Sequence, residues 1–265
     1  MANSAGRSNT ALFLSPHLDD VAFSCGGTFA MLAAAGWRCV LATLFTRSVP
    51  HPRGFALECQ TSKGLPADVD YMRQRRIEDA VAAVHLGASD VHWGPLPEAP
   101  HRGYDSAAAL FEPLRVDDPL ATDGDSNALD SAITALCRGH QPGIVFAPQS
   151  SGRHVDHVLT SRVVLRADVA AVAWYADTPY VLRENPIPPP PEIASRLGSL
   201  QKRRVDLEAA AQSAKLDACA AYASQLGFQF GSESAMRQRL IQVTAEPFCV
   251  TAAADEILAA LGRTD

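Results

Sequence analysis

Five short strand-like runs punctuate this chain: Ala11 to Leu14, Arg38 to Phe45, Asp90 to Trp93, Gly143 to Ala147 and Val169 to Tyr175. Between them, apolar positions recur at helical spacing. The predicted helices are Ala22 to Ala35, ending at Gly36; Tyr71 to Leu86, stopped by Gly87; Ala128 to Arg138; and His154 to Ala167. Strands alternating with helices predict an α/β fold: a Rossmann-like three-layer sandwich whose sheet is mostly parallel. Two stretches interrupt the rhythm. Thr46 to Asp70 and Gly94 to Asn127 are rich in Pro, Gly and Asp and read as long irregular excursions, the second with a small helix at Ser106 to Leu110. Further on, the proline-rich segment 186–191 reads as extended surface chain. Ile193 to Leu226 reads as largely helical, so that a single domain spanning 1–265 ends in a mainly helical part, 193–265.

Composition narrows the class. The chain has 265 residues, 47% of them hydrophobic and 20% charged, enough to bury a sizeable core. A net charge of -6, with Lys202-Arg203-Arg204 as the main basic run, leaves no electrostatic footprint for nucleic acid. No apolar stretch is long enough to span a bilayer, and Met1 to Thr10 lacks the order of a signal peptide, so the expectation is a cytoplasmic protein without a membrane partner. The six cysteines are scattered, with no CxxC pair, and read as buried hydrophobes. Cys25 sits at a strand-to-helix turn but has no base paired with it. Gly26-Gly27 is too short for a phosphate loop, and no G-x-G-x-x-G or Walker pattern occurs.

The chemistry concentrates in Ser15-Pro16-His17-Leu18-Asp19-Asp20 and Gly152-Arg153-His154-Val155-Asp156-His157. Each follows a strand-like run. In an open parallel sheet, ligands collect outside the carboxyl ends of the strands, so the two motifs can face one pocket there. His17 and Asp20, and likewise His154 and His157, stand three apart and can project from one side of a first helical turn. That supplies three ligands for a catalytic zinc and spare groups besides. Asp19 suits a general base, and the His154 and Asp156 pair suits an acid held in one tautomer by a carboxylate. The chemistry alone leaves open whether His154 or His157 is the ligand. Taken singly, Asp19-Asp20 also fits a plain helix N-cap, and Arg75 fits equally a surface pair with Glu78 or Asp79 and a substrate contact.

These motifs resemble the LmbE-like or PIG-L family of zinc-dependent N-acetylglucosaminyl deacetylases. So do Arg75-Arg76-Ile77-Glu78 with Leu86-Gly87, Tyr175-Ala176-Asp177-Thr178-Pro179-Tyr180, and Lys215 and Ala218 before Tyr222-Ala223-Ser224-Gln225. The last resembles a helix of bacterial members that act on glycosylated small molecules. The resemblance implies His17, Asp20 and His157 as ligands of Zn2+ or another divalent transition metal, and Asp19 as general base. It implies His154 as the group that stabilises the oxyanion or protonates the amine, Asp156 as its orienting partner and Arg75 as a substrate contact. The implied activity is removal of an N-acyl group, acetyl in the first instance, from an amino sugar or glycoconjugate by metal-activated water. One departure stands out: many members carry an acidic residue where this chain has Val21. The competing expectation is a non-catalytic glycan- or partner-binding protein on the same fold. An aspartate-nucleophile phosphatase built on Asp19 lacks the Asp-x-Asp-x-Thr arrangement. The Tyr-x-Asp-x-Pro-Tyr segment reads as a turn with aromatic packing, and His51, His85, His92, His101 and His140 receive no role, though His101 lies on a loop able to reach the pocket.

Overall fold

The structure, a computed structural model, describes residues 8–121 and 127–261. Parts of the N-terminal segment, of the second excursion and of the chain end lie outside the described residues. The sheet has seven strands in the order β3-β2-β1-β4-β5-β7-β6. They are β1 (Thr10–Ser15), β2 (Arg38–Thr43), β3 (Asp90–Trp93), β4 (Ile144–Pro148), β5 (Val172–Tyr175), β6 (Gln201–Asp206) and β7 (Ala245–Val250). β1 to β5 run parallel, and β7 lies antiparallel between β5 and β6. Every residue of β1 and β4 is buried, as befits central parallel strands covered on both faces.

The helices divide between the two faces. α1 (Asp20–Ala34), α3 (Tyr71–Leu86), α7 (Ala209–Ala220) and α10 (Ala252–Ala260) cover one, where Phe13, stacked on Phe146 with centroids 4.1 Å apart, anchors the core. α4 (Ala128–His140), α5 (Val155–Arg166) and α6 (Pro191–Gly198) cover the other around Leu14, Val145 and Trp174. This is the expected three-layer, mostly parallel sandwich. The chain winds outward in both directions from β1 and β4, so the crevice between their carboxyl ends is the topological switch point.

α1 is kinked at Cys25, whose φ of -138° breaks the helical ladder. The amides of Gly27 and Thr28, just past the kink, donate to the Glu246 carboxylate of β7 at 3.0 and 2.7 Å. Glu246 pairs with Lys215 of α7 at 2.6 Å, both side chains 1% exposed. A Cβ on Gly27 would stand 2.6 Å from Leu207, which explains the glycine there.

Several elements differ from expectation. The first excursion contains α2 (Gly54–Thr61), and the second holds two 3-10 turns, Ala99–Arg102 and Ala109–Phe111, in place of one helix at Ser106 to Leu110. The helical expectation for Ile193 to Leu226 is interrupted by β6, and α8 (Ala223–Phe230) and α9 (Glu233–Leu240) follow α7 before β7. β6 escapes the hydrophobic pattern because it is an edge strand with one fully buried residue, Val205. β7 carries Pro247, which ordinarily argues against an interior strand; here β5 pairs only with Phe248 to Val250, so the proline lies beyond it.

Candidate metal centre

The β1–α1 turn presents the first motif. Ser15 Oγ donates to the His17 carbonyl at 2.6 Å and accepts from the Val21 amide at 3.2 Å, closing the turn. Asp20 opens α1, where the helix dipole favours a carboxylate, and its Oδ2 accepts the His17 amide at 2.7 Å. Val21, the departure from the family pattern, is buried in the core. The second motif follows β4 through a tight turn. Gly152 has φ +86°, and a Cβ there would meet the Tyr180 ring at 2.6 Å. His154 then caps α5, its Nδ1 accepting the Asp156 amide at 3.2 Å.

Folding brings the motifs together over the carboxyl ends of β1 and β4. His17 Nδ1 lies 3.3 Å from Asp20 Oδ2, His157 Nε2 lies 3.2 Å from the same oxygen, and the two nitrogens are 3.3 Å apart. Ligands bonded at about 2.0–2.1 Å around a tetrahedral cation stand about 3.3 Å from one another, so this triangle has the edges of one face of such a site. Each imidazole is oriented from behind: His17 Nε2 donates to Asp156 Oδ2 at 3.0 Å and His157 Nδ1 to Asp177 Oδ1 at 2.7 Å. Carboxylates in these positions fix the tautomer that leaves the facing nitrogen free for a metal. His154 gathers with them, one ring nitrogen of each of the three histidines lying within 4.8 Å of the others. The donor set therefore fits a divalent cation.

The electrostatics agree. Burial opposes protonation of His157, yet the Asp20 charge and the Asp177 hydrogen bond outweigh it and push its pKa up to about 9. For Asp20, burial is likewise outweighed, and His157 and His17 hold the carboxyl well below its usual range. The pocket thus favours positive charge where the three donors meet, as a metal site must. Asp19 behaves oppositely: burial and the neighbouring Asp20 charge raise its carboxyl to about 7, against the pull of Arg75. Burial and the nearby His17 lower His154 well below the ordinary histidine value, keeping it neutral.

His17, Asp19, Asp20 and His154 line one end of a cavity of about 580 Å³. Phe55 of α2, Phe111 of the second excursion and Phe228 of α8 line other parts of it. Arg75 faces the same cavity and is buried, so the surface alternative with Glu78 or Asp79 does not hold. Glu78 accepts from Ser224, Asp79 accepts from Tyr222 and Trp93, and the Arg75 guanidinium pairs instead with Glu98 and stands 3.9 Å from Asp19 Oδ1.

The expected role of Asp156 needs correction. Its carboxylate does not touch the His154 ring; it receives His17 Nε2, Arg102 Nη2 at 2.6 Å and the Ala99 amide at 3.1 Å. His154 turns back onto the first turn of its own helix, whereas Asp156 points across to the β1–α1 turn. The Tyr-x-Asp-x-Pro-Tyr segment is more than a turn, since Asp177 orients His157 and Tyr180 lines the cavity. Glu98, Arg102 and Asp118 escaped the sequence because they lie in an excursion without periodicity. Cys25 is wholly buried, and burial raises its thiol well above the usual value, which removes it as a nucleophile. His101 lines a different cavity with His51. A second cluster, Asp90, His92 and His140, lies at the opposite end of the sheet, but the Arg38 guanidinium already bonds Asp90 Oδ2 and His140 Nδ1.

Residues 12–168 match the family described as GlcNAc-PI de-N-acetylase, PIG-L. The chain belongs to the PIG-L family. The chain is 29% identical over 225 residues to the 2'-N-acetylparomamine deacetylase of Streptomyces fradiae, covering 83% of this chain and 74% of that protein. The crystal structure of the A40926 pseudoaglycone deacetylase Dbv21 superposes with a TM-score of 0.74 at 23% identity, over 92% of this chain and 98% of the other. The zinc-inhibited form of teicoplanin deacetylase Orf2 gives 0.72 at 23% identity, over 91% and 97%. PIG-L membership bears out the expected fold and the N-deacetylase, a hydrolase of amide bonds. No helix among the described residues is long and apolar enough to cross a membrane.

Proposed function

We propose that this PIG-L protein holds one Zn2+ on His17 Nδ1, Asp20 Oδ2 and His157 Nε2, and removes the acetyl group from an N-acetylated amino sugar carried by a small-molecule glycoconjugate. The observation that carries the proposal is the triangle of donor atoms with 3.2 to 3.3 Å edges, beside a cavity that Asp19 and His154 also line. When bound, the cation supplies Lewis acidity toward an amide carbonyl and a water molecule. Asp19, near neutrality and facing the cavity, takes a proton from the attacking water and returns it to the departing amine nitrogen. His154 keeps Nδ1 on the Asp156 amide, so its ring proton sits on Nε2 and donates to the carbonyl oxygen as negative charge develops there. The atoms balance: one water and one amide give one carboxylic acid and one free amine. Asp156 acts behind His17. Arg75 shares its guanidinium with Glu98 on the same wall and is the proposed substrate contact.

The 2'-N-acetylparomamine deacetylase named above supports the substrate class, an N-acetylated small molecule. Six free cysteines suit the reducing cytoplasm, where we place the enzyme. The test is release of free amine from N-acetylglucosamine derivatives and from an N-acetylated aminoglycoside, before and after dialysis against a chelator and again after zinc is restored. Amine release that disappears with the metal and returns with it is expected. Undiminished release by rigorously metal-free protein would overturn the proposal.

A further inference from the structure

The Asp156 carboxylate is fully buried and held from several sides at once. Oδ2 takes the His17 Nε2 hydrogen and the Ala99 amide, and Oδ1 takes Arg102 Nη2 at 2.6 Å. Arg102 is itself clamped. Its Nε and Nη2 donate to both oxygens of Asp118 at 3.1 to 3.3 Å, Nη1 donates to the Pro97 carbonyl at 2.7 Å, and the guanidinium lies 5.1 Å from the Phe45 ring centroid. The side chains of Arg102, Asp118 and Asp156 are 3, 0 and 0% exposed. A chain of charge-assisted bonds thus runs from the second excursion to the back of a metal ligand.

We infer that Arg102 is a positioning residue for the metal centre: braced by Asp118, it holds the Asp156 carboxylate at the angle that keeps the His17 proton on Nε2 and presents Nδ1 to the cation. The inference rests on the ligand set proposed above. An imidazole can carry its proton on either nitrogen, and only the Nε2–H form leaves the Nδ1 lone pair directed at Asp20 and His157. A lone carboxylate can rotate about its terminal torsion, which is soft. With Oδ1 committed to Arg102 Nη2, Oδ2 is left for His17 and the Ala99 amide, and its direction is set. Arginine suits the task because its planar fork engages Asp118 and Asp156 together, which the point charge of a lysine cannot do. Glu98, the residue before this 3-10 turn, reaches Arg75 beside Asp19, so the same short turn touches the base side of the site as well.

If Arg102 only pinned the excursion to α5, its loss would lower stability and raise KM without changing the metal affinity of folded protein. The experiment titrates metal-free protein with zinc against a chromophoric chelator, with circular dichroism confirming the fold of each variant. Wild type is expected to bind one zinc tightly and His157→Ala to lose it; wild type that binds none, or His157→Ala that binds equally well, refutes the ligand set itself. Given that baseline, Arg102→Gln should weaken zinc binding about 10- to 100-fold, the usual cost of losing a partner behind a ligand. Arg102→Lys should recover part of the loss. In an Asp156→Asn background, Arg102→Gln should change the affinity less than about twofold, since interacting residues are non-additive. Wild-type zinc affinity in Arg102→Gln, or losses that simply multiply in the double variant, would overturn the inference. Should Arg102→Gln fail to fold, Arg102→Lys and Asp118→Asn carry the test, and unchanged affinity in both overturns it.

Discussion

Asp19 and Asp20 are adjacent in sequence but titrate apart: burial and the Asp20 charge raise the Asp19 carboxyl to about 7 against the pull of Arg75, whereas His157 and His17 outweigh burial and hold that of Asp20 well below its usual range. Two carboxylates pushed apart in this way suit the separate roles of ligand and base proposed for them. Asp19→Asn should therefore lower kcat by about 10²- to 10⁴-fold, the usual contribution of a general base, while zinc content stays at one per chain. Elemental analysis beside the amine-release assay checks this; a variant with near-normal turnover removes Asp19 from the mechanism. Asp177→Asn should act on the other side, weakening zinc affinity about 10- to 100-fold with the ligands intact, as read by the same chelator competition. The ligand candidates were legible because both motifs sit at strand ends with three-residue spacing. The partner of Asp156 was not legible, since neighbours on the first turn of a helix point in different directions and only the fold shows that His17 lies across the gap.

At the scale of elements, the parallel half of the sheet announces itself through buried apolar strands and helical periodicity, whereas β6 and β7 do not. β6 has one fully buried residue, and β7 encloses Pro247 and Glu246, two residues that argue against a strand when the sequence is read alone. Glu246 belongs there because it answers the Gly27 and Thr28 amides past the kink in α1 and the Lys215 ammonium. Burying a carboxylate is tolerable only with such partners. Lys215→Met leaves Glu246 among two amides with no counter-charge, and should cost about 3–5 kcal/mol of stability, as breaking a buried pair typically does. Urea unfolding followed by circular dichroism measures this. A loss below about 1 kcal/mol, the size of a surface pair, would mean the pair contributes nothing beyond its exposed counterparts. Because α1 begins at Asp20, the same bracing supports the helix that follows the proposed base and starts with a proposed ligand.

Across the whole molecule, three segments distant in sequence close over one end of the sheet. α2, the 98–118 region and α8 meet around the cavity, and the proposed metal donors come from the first and second motifs, with Asp177 behind them from the end of β5. A cation bound at that junction would tie β1, β4 and β5 together in the native state and find no such site in the unfolded chain. Anything that binds only the native state stabilises it, by about 2.7 kcal/mol at a free concentration 100 times Kd. For a chain of this size, about 1 kcal/mol moves Tm by about 2–4 °C, so zinc at that excess should raise Tm of the metal-free protein by about 5–10 °C. Chelator should reverse the shift. His157→Ala should show none of it, Asp19→Asn should show it in full, and Arg102→Gln should need more zinc to reach the same Tm. Scanning calorimetry over a zinc series separates these cases: a shift that persists in His157→Ala would place the stabilising cation elsewhere, whereas a full shift in Asp19→Asn alongside lost turnover assigns binding and proton transfer to different carboxylates of the same motif.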